Sequence, residues 1–538
     1  MLAPRCRRVT MCNKTLTLNR TAQQPVELPA DYDRLLQSIT VLAPVQKISL
    51  DIDVTHKAAL PAVLESALLL VAQLEIVSPS ELGGFFGLAD HERQVLVDEM
   101  IDTGLVRYND EGDIATTVKL TMQRREGASD EGIAIEDVEN HRDFTFIDLC
   151  TGHIQPKCNA DLQKGLPELP RKINRSDFTD LIASQFRRFQ ICLPDTKSKR
   201  ALRSSKARLY RVNRASVGQS GLKQQISLDI HVHSDPLNGI RLDSRLMDYS
   251  LEHTRLMESS GLKTEAINWL HERKLEAASS TLEDYCDLAK DMVIRRYIGR
   301  DGKLELGRLL HDRQRRKTSY GNSTMQRMMI GPVYAAPNRN TLIKWAERLP
   351  RQQQVHQGIW LGATNELFGA SLGLGSFIKQ MNTELASGER NSRLNLAFQC
   401  DEEFRAQRLI TNQFNSRTDG SLRIFPKGRS ESHLEILVFP GEYGMAVVQY
   451  HAALDPSLGY AGLTLPIGYF TTDPEQVAQL WMQVQQRIQS PVRSADQPEV
   501  ATDDLNKLLG CAPAELAQML VDNSEEKLKK LVERFNQH

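Results

Sequence analysis

Between Ala59 and Val118 the apolar residues change their spacing from helical to alternating, and this constrains the fold more than any other part of the chain. Leu60, Val63, Leu64, Ala67, Leu68 and Val71 recur at three- and four-residue intervals, which lines them along one helix face. Ser78 or Ser80 can cap a second, short helix through Leu82, Phe85 and Phe86, and Gly87 ends it. Asp90 can cap a third helix carrying Val95, Leu96, Met100 and Ile101, with Gly104 as its stop. Leu105 to Tyr108 and Ile114 to Val118, joined by the turn Asn109 to Asp113, read as a hairpin. Helices this short are not stable alone, so their apolar faces must bury against one another and the hairpin.

This order, through the stretch ELGGFFGLADHERQVLVDEMIDTGLV, resembles a winged helix-turn-helix domain over roughly Ala59 to Gln123. The resemblance implies a third helix that enters the DNA major groove. Here that helix, His91 to Thr103, sets Glu92, Asp98, Glu99 and Asp102 against a single cation, Arg93. Duplex DNA is densely anionic and rewards cations on the docking face. An acidic third helix is a poor reader of DNA and equally a protein-contact surface.

At 538 residues the chain is too long for one core, which predicts three to four domains in a multi-domain α+β architecture. The expected layout is a lead-in over 1–58, the winged helix over 59–123 and a basic middle region of hairpins and helices over 124–335. An α/β domain over 336–490 and a helical tail over 500–538 complete it. Within the lead-in, Val45, Ile48, Leu50 and Ile52 fit a strand. The most apolar stretch, Ala59 to Leu74, contains Pro61, Glu65 and Gln73 and reads as a buried helix, so no membrane span is expected. Arg5, Arg7 and Arg8 lack a following apolar run, which argues against a secretory signal, and Met11 is a candidate start. The cysteines Cys6, Cys12, Cys150, Cys158, Cys192, Cys286, Cys400 and Cys511 are mostly far apart, which suits reduced thiols and a cytoplasmic location.

The net charge of −1 requires no nucleic-acid partner, but charge is distributed unevenly. Arg124 to His141 is acidic and reads as a solvated linker, whereas Arg171 to Lys223 is strongly basic. Arg187, Arg188, Lys197, Lys199, Arg200, Arg203, Lys206, Arg208 and Arg211 are the candidate nucleic-acid-binding residues. They are interleaved with Phe178, Phe186, Phe189 and Tyr210, which either stack on bases or anchor a core. The alternative is a solvated face neutralised by the acidic linker.

Asp229, His231 and His233 alternate along the strand Gln225 to His233, so they share one face. The stretch LDIHVHSD resembles the opening of the polymerase-and-histidinol-phosphatase metal-dependent phosphoesterases, which makes His231 and His233 metal candidates. The further ligands of that family have no counterpart after Asp235, and a polar strand face is the competing reading. Asn238-Gly239 signals a hairpin turn. Cys150, His153 and Cys158 have the spacing of a zinc knuckle without a nearby fourth ligand, and Thr151-Gly152 reads as a tight turn. Gly369, Gly373 and Gly375 lack the Lys-Ser/Thr of a phosphate loop and read as close-packing positions in a helix from Leu367 to Leu385. No cofactor is implied.

Strands at Ile359 to Leu361, Leu394 to Phe398, Leu422 to Phe425, Leu434 to Phe439 and Met445 to Tyr450 alternate with helices up to Ile488. This layout resembles half of a phospholipase D-like (HKD) domain. In that family a His nucleophile, a Lys two residues later and an Asp five beyond the Lys handle the phosphodiester. His433 matches the first, but Glu435 and Pro440 stand at the other two positions. A carboxylate repels charge developing on phosphate oxygens. The combined resemblance implies a non-catalytic nucleic-acid-associated or protein-interaction component of a bacterial mobile-element or phage-defence system. Protein partners would use the winged helix and the C-terminal helices. The alternative is a metal-dependent or HKD-type phosphoesterase or nuclease whose catalytic residues carry no recognisable motif.

Overall fold

The computed structural model describes residues 28–29, 31–126, 134–156, 165–175, 177–204, 207–235, 239–247, 251–273, 278–321, 324–350, 357–387, 392–400, 404–426, 431–460 and 462–489. Residues 1–27 of the lead-in and the predicted tail, with Lys206, Cys158 and Asn238, lie outside these. The fold is α+β and forms two compact units, one from Thr40–Ser227 with Leu246–Trp269, the other from the remainder.

In the first unit, strand β1 (Asp33–Ala59) leads to helix α1 (Ala62–Leu74), strand β2 (Ile76–Val77), and helices α2 (Pro79–Phe86) and α3 (Asp90–Asp102). Strands β3 (Val106–Tyr108) and β4 (Ile114–Thr116) form the hairpin, and α4 (Val118–Glu126) follows. The small sheet runs β2-β4-β3. This is the helix–strand–helix–helix–hairpin order of a winged helix. Its core joins Leu64, Leu68 and Val71 of α1 with Leu82 of α2, Leu96, Val97 and Met100 of α3, and Ile114 of the hairpin. Ser78 caps α2 by accepting from the Glu81 amide, and Pro79 opens the helix where its missing N–H costs nothing.

Two details of α3 differ from the pattern. Its N-cap is Ala89, whose amide donates to the Glu92 carboxylate (3.0 Å), while Asp90 sits inside the first turn and pairs with Arg93 (2.8 Å). Val97 fills the core where Val95 was expected, because the helix turns Val95 outward beside Gln94.

The larger sheet of this unit uses β5 (Ala134–Asp148), β6 (Ile154–Gln155), β7 (Arg208–Val217) and β8 (Leu222–Asp235, of which Leu222 to Ser227 belong to this unit) in the order β6-β5-β1-β8, with β7 also on β1. β1 and β5 pair antiparallel without a break from Val45↔Asp148 to Ala59↔Ala134. The segment read as an acidic linker therefore becomes strand from Ala134 on. Helices α5 (Thr179–Ser184), α6 (Phe186–Cys192) and α7 (Arg200–Arg203) cover one face, burying Phe178, Ile182, Phe186, Phe189 and Leu202 on Ile48, Leu50, Ile52 and Val54. The turn between β5 and β6 is tied by buried Asp148, which accepts from the amides of Cys150 (3.2 Å) and Thr151 (2.6 Å) and from Gln155 Nε2 (2.9 Å). Helices α8 (Leu251–Ser259) and α9 (Leu262–Glu272) contribute through Trp269.

The second unit contains strand β9 (Gly239–Leu246), helices α10 (Leu282–Ala289) and α11 (Leu306–Gln314), and strand β10 (Gln326–Ile330). It continues with α12 (Ala336–Glu347), β11 (Gly358–Leu361), α13 (Leu372–Leu385), β12 (Leu394–Cys400), α14 (Phe404–Phe414) and β13 (Leu422–Pro426). Strands β14 (Leu434–Phe439), β15 (Met445–Ala453) and β16 (Thr464–Thr471) precede α15 (Pro474–Gln489). One seven-stranded sheet runs β10-β16-β15-β14-β11-β12-β13. β11, β12 and β13 are parallel and the rest antiparallel, over a core that includes Trp360, Phe377, Phe398 and Phe439.

β10 and β16 were not legible as strands. Pro466 and Gly468 argue against strand in β16, but Pro466 lies beyond the last β10 partner, Ile467, and Gly468 sits where a Cβ would meet the Val448 carbonyl at 1.9 Å. α13 begins at Leu372, later than its apolar pattern suggests. Gly369 holds a φ of +65° and Ser371 caps the helix through the Gly373 amide (3.1 Å). Arg313 lies in α11, half-buried, and donates to the Met328 carbonyl (3.4 Å).

Asp291 is wholly buried and accepts from Tyr285 Oη (2.9 Å), Tyr320 Oη (3.1 Å) and the amides of Val293 (3.1 Å) and Ile294 (2.9 Å). Removing the carboxylate strands all four donors, each at a cost of about 1–3 kcal/mol. Asp291→Ala is expected to lose more than about 3 kcal/mol in urea unfolding, and Tyr320→Phe about 1 kcal/mol. Equal losses in the two variants would show that Asp291 does not organise this core.

Candidate functional site

Alternation along β1 turns Ile48, Leu50, Ile52 and Val54 inward, so Lys47, Ser49, Asp51, Asp53 and Thr55 share the outer face. Directly opposed residues lie on one face of a sheet. The β5 partners on the outer face are therefore Phe144, Arg142 and Asn140, opposite Ser49, Asp51 and Asp53.

β7 breaks the two-residue rhythm twice. Register shifts between Asp51 and Ile52 and between Asp53 and Val54 leave Asn213 and Tyr210 as extra, unopposed residues. The inward residues become Leu209, Val212 and Ala215, which pack on the core at intervals of three. The same shifts bring Arg208, Arg211 and Arg214 onto the outer face opposite Thr55, Asp53 and Asp51. In an unbulged strand Arg211 would point the other way. Successive arginines thus repeat every second β1 residue, about 6.6 Å.

This face is polar, basic and partly aromatic. Tyr210 is 65% exposed and Phe144 42%, with Lys47 Nζ 4.2 Å from the Phe144 ring centroid. Asn140 and Asn213 each donate to both Asp51 and Asp53 (2.8 to 3.2 Å), Arg142 pairs with Asp51 (3.2 Å) and Arg211 with Asp53 (3.0 Å). Those bonds, the asparagines' first, hold both carboxyls below the usual carboxylate range. Lys47, Arg142, Arg208, Arg211 and Arg214 still outnumber the two carboxylates.

The other basic candidates divide between solvent and structure. Arg188 donates to the carbonyls of Ile154 and Leu256 and to Ser259 Oγ (2.5 to 2.7 Å), and Arg203 to the Leu193 carbonyl (3.1 Å). Lys199 pairs with Asp143 (2.5 Å), a carboxylate far away in sequence. Arg187 bonds Gln190 (2.9 Å) from an exposed position, and Lys197 and Arg200 are exposed on the helical side. Of the aromatic candidates, Phe178, Phe186 and Phe189 are core, and Tyr210 alone faces solvent.

His433, Glu435 and His451 lie together in the second unit, each buried. Glu435 on β14 accepts from Trp360 Nε1 (3.1 Å) and faces His451 Nε2 at 3.5 Å. Asn365 Nδ2 donates to His451 Nδ1 (3.0 Å), and His433 Nδ1 meets Ser432 Oγ (2.7 Å). A phosphate at His433 would meet the Glu435 carboxylate. Burial, then nearby His451, lowers the His433 pKa below its ordinary 6.5, so the ring is neutral at pH 7.

His231 meets Asp33 (2.7 Å), whose other oxygen takes Arg245 (2.7 Å), while His233 Nδ1 is buried without a hydrogen-bond partner. Cys150 is buried and its thiol is pushed up to about 12, chiefly by burial and then by the Asp148 charge. His153 Nδ1 bonds Thr151 Oγ1 (3.0 Å). Among the described residues no three His, Cys, Asp or Glu side chains are placed to hold a metal ion, and no helix is long and apolar enough to cross a membrane.

No known protein family matches the sequence, and neither does any curated protein. Among solved structures, TrmBL2, an archaeal chromatin protein whose structure is described as showing a novel mode of DNA binding, matches at 10% identity. It covers 47% of this chain and 74% of its own, at a TM-score of 0.19. That score is too low to carry a shared fold.

The outer face was missed because Lys47, Arg142 and Phe144 sit outside the basic segment. The available signal was the alternation of Asn140, Arg142 and Phe144 with residues of opposite facing. A histidine whose folded pKa is depressed contributes fully above its ordinary value near 6.5 and loses that contribution as pH falls below it. Urea midpoints followed by tryptophan fluorescence are therefore expected to fall from pH 7.5 to pH 5.5, and His433→Asn should flatten that dependence. An unchanged slope in the variant would mean that His433 is not the group that titrates.

Proposed function

We propose that this chain is a non-catalytic, nucleic-acid-associated protein that docks its ligand on the outer face of β1, β5 and β7. The observation that carries the reading is the pair of bulges in β7, which gathers Arg208, Arg211 and Arg214 on one exposed face. Cations in a row neutralise successive phosphates and release their counterions, the main source of sequence-independent affinity. The winged helix has a different role in this reading. Glu92, Asp98, Glu99 and Asp102 are exposed on α3, a face that repels nucleic acid and suits a protein partner.

The C-terminal unit acts as a scaffold of degenerate phospholipase D-like type. Glu435, held by Trp360, puts a carboxylate where the phosphate clamp would stand, which opposes phosphodiester chemistry at His433. Membership of a bacterial mobile-element or phage-defence system belongs to the same proposal and rests on the pairing of these two domain types.

Reversing Arg208, Arg211 and Arg214 to Glu is expected to abolish binding of labelled nucleic acid. Neutralising them to Ala should lower the slope of log affinity against log salt by about 2 to 3. Arg93→Ala should leave binding unchanged, and an equal loss there would transfer the ligand to α3. For the scaffold, wild type and His433→Ala should be equally inert toward a model phosphodiester. Hydrolysis that disappears in the variant would make the protein an enzyme.

A further inference from the structure

We infer that the nucleic acid received by this face is single-stranded, with Tyr210 and Phe144 as stacking platforms; the inference rests on the nucleic-acid reading above. The face spans three adjacent strands, so the outer strand axes are about 9.6 Å apart before side chains are added. That is too broad and flat to enter a major groove about 12 Å wide, which admits a helix or a two-stranded ribbon. A single strand has no such restriction, because its bases are unpaired and can lie on the sheet.

The placement of the rings supports the same ligand. Tyr210 is the extra residue of the second bulge, unopposed between the partners of Asp53 and Val54, and bulges re-aim the side chain they carry. Tyr210 is 65% exposed and is flanked in the strand by Arg208 and Arg211. Phe144 lies opposite Ser49, about 15 Å away along β1, beside Lys47 and next to Arg142. Each ring thus stands beside cations, the arrangement that holds a backbone while bases stack. Arginines and bulges on an outer strand also deter edge-to-edge aggregation. Edge protection accounts for the charges and not for two exposed rings on different strands.

The test uses the full-length protein and fluorescence anisotropy with labelled oligothymidylate, oligouridylate and a mixed-sequence duplex of equal length. Single strands are expected to bind more tightly than duplex, with the two oligonucleotides separating DNA from RNA preference. Tyr210→Ala and Phe144→Ala should each weaken single-strand binding by about five- to a hundred-fold, and Tyr210→Phe should restore it. Duplex binding should be unmoved by these changes. Tyr210 is exposed, so its substitution carries the test even if Phe144→Ala unfolds, which circular dichroism would reveal. Equal binding of single strand and duplex, insensitive to Tyr210→Ala, overturns the single-strand assignment and leaves nucleic-acid association standing. Binding of neither overturns both.

Discussion

A β-strand turns every second residue inward, and the first unit depends on β1 obeying that rule without a break against β5. Ile48, Leu50, Ile52 and Val54 are buried beneath α5 to α7, which commits Lys47, Ser49, Asp51, Asp53 and Thr55 to the opposite face. A one-residue slip would place Asp51 and Asp53 in the core and expose the aliphatic row. The outer face is thus a consequence of the core. Its two carboxylates are tolerated because Asn140, Asn213, Arg142 and Arg211 surround them.

The bulges in β7 show how a strand reconciles an awkward sequence with that core. Leu209, Val212 and Ala215 recur at intervals of three, which fits neither strand nor sustained helix in so short a segment. Two extra residues absorb the mismatch. All three apolar side chains reach the core, and Arg208, Arg211 and Arg214 follow them onto the other face.

Buried polar groups organise the interior in both units. Asp148 ties the β5–β6 turn, Asp291 gathers two tyrosines and two amides, and Glu435 is held by Trp360 beside His451. A buried carboxylate is tolerable when its oxygens are satisfied. Glu435, bonded to Trp360 and facing His451, is a buried carboxylate of this kind.

Local sequence alone determined the winged helix, because helical spacing from Leu60 to Val71, the Ser78 cap and the glycine stops are short-range signals. It also determined the strand pair Leu434–Phe439 and Met445–Tyr450 and the turn at Thr151-Gly152. The partners of the basic residues were decided by tertiary structure. Lys199 meets Asp143 and Arg211 meets Asp53 across long stretches of chain, and Arg188 is spent on main-chain carbonyls. Pairing also made a strand of β16 despite its proline, and set Phe144 and Arg142 on one face with Arg208, Arg211 and Arg214 though they belong to different segments. Charge and hydrophobicity can be read along a chain, but a shared face exists only once strand register is fixed, and register depends on the whole core.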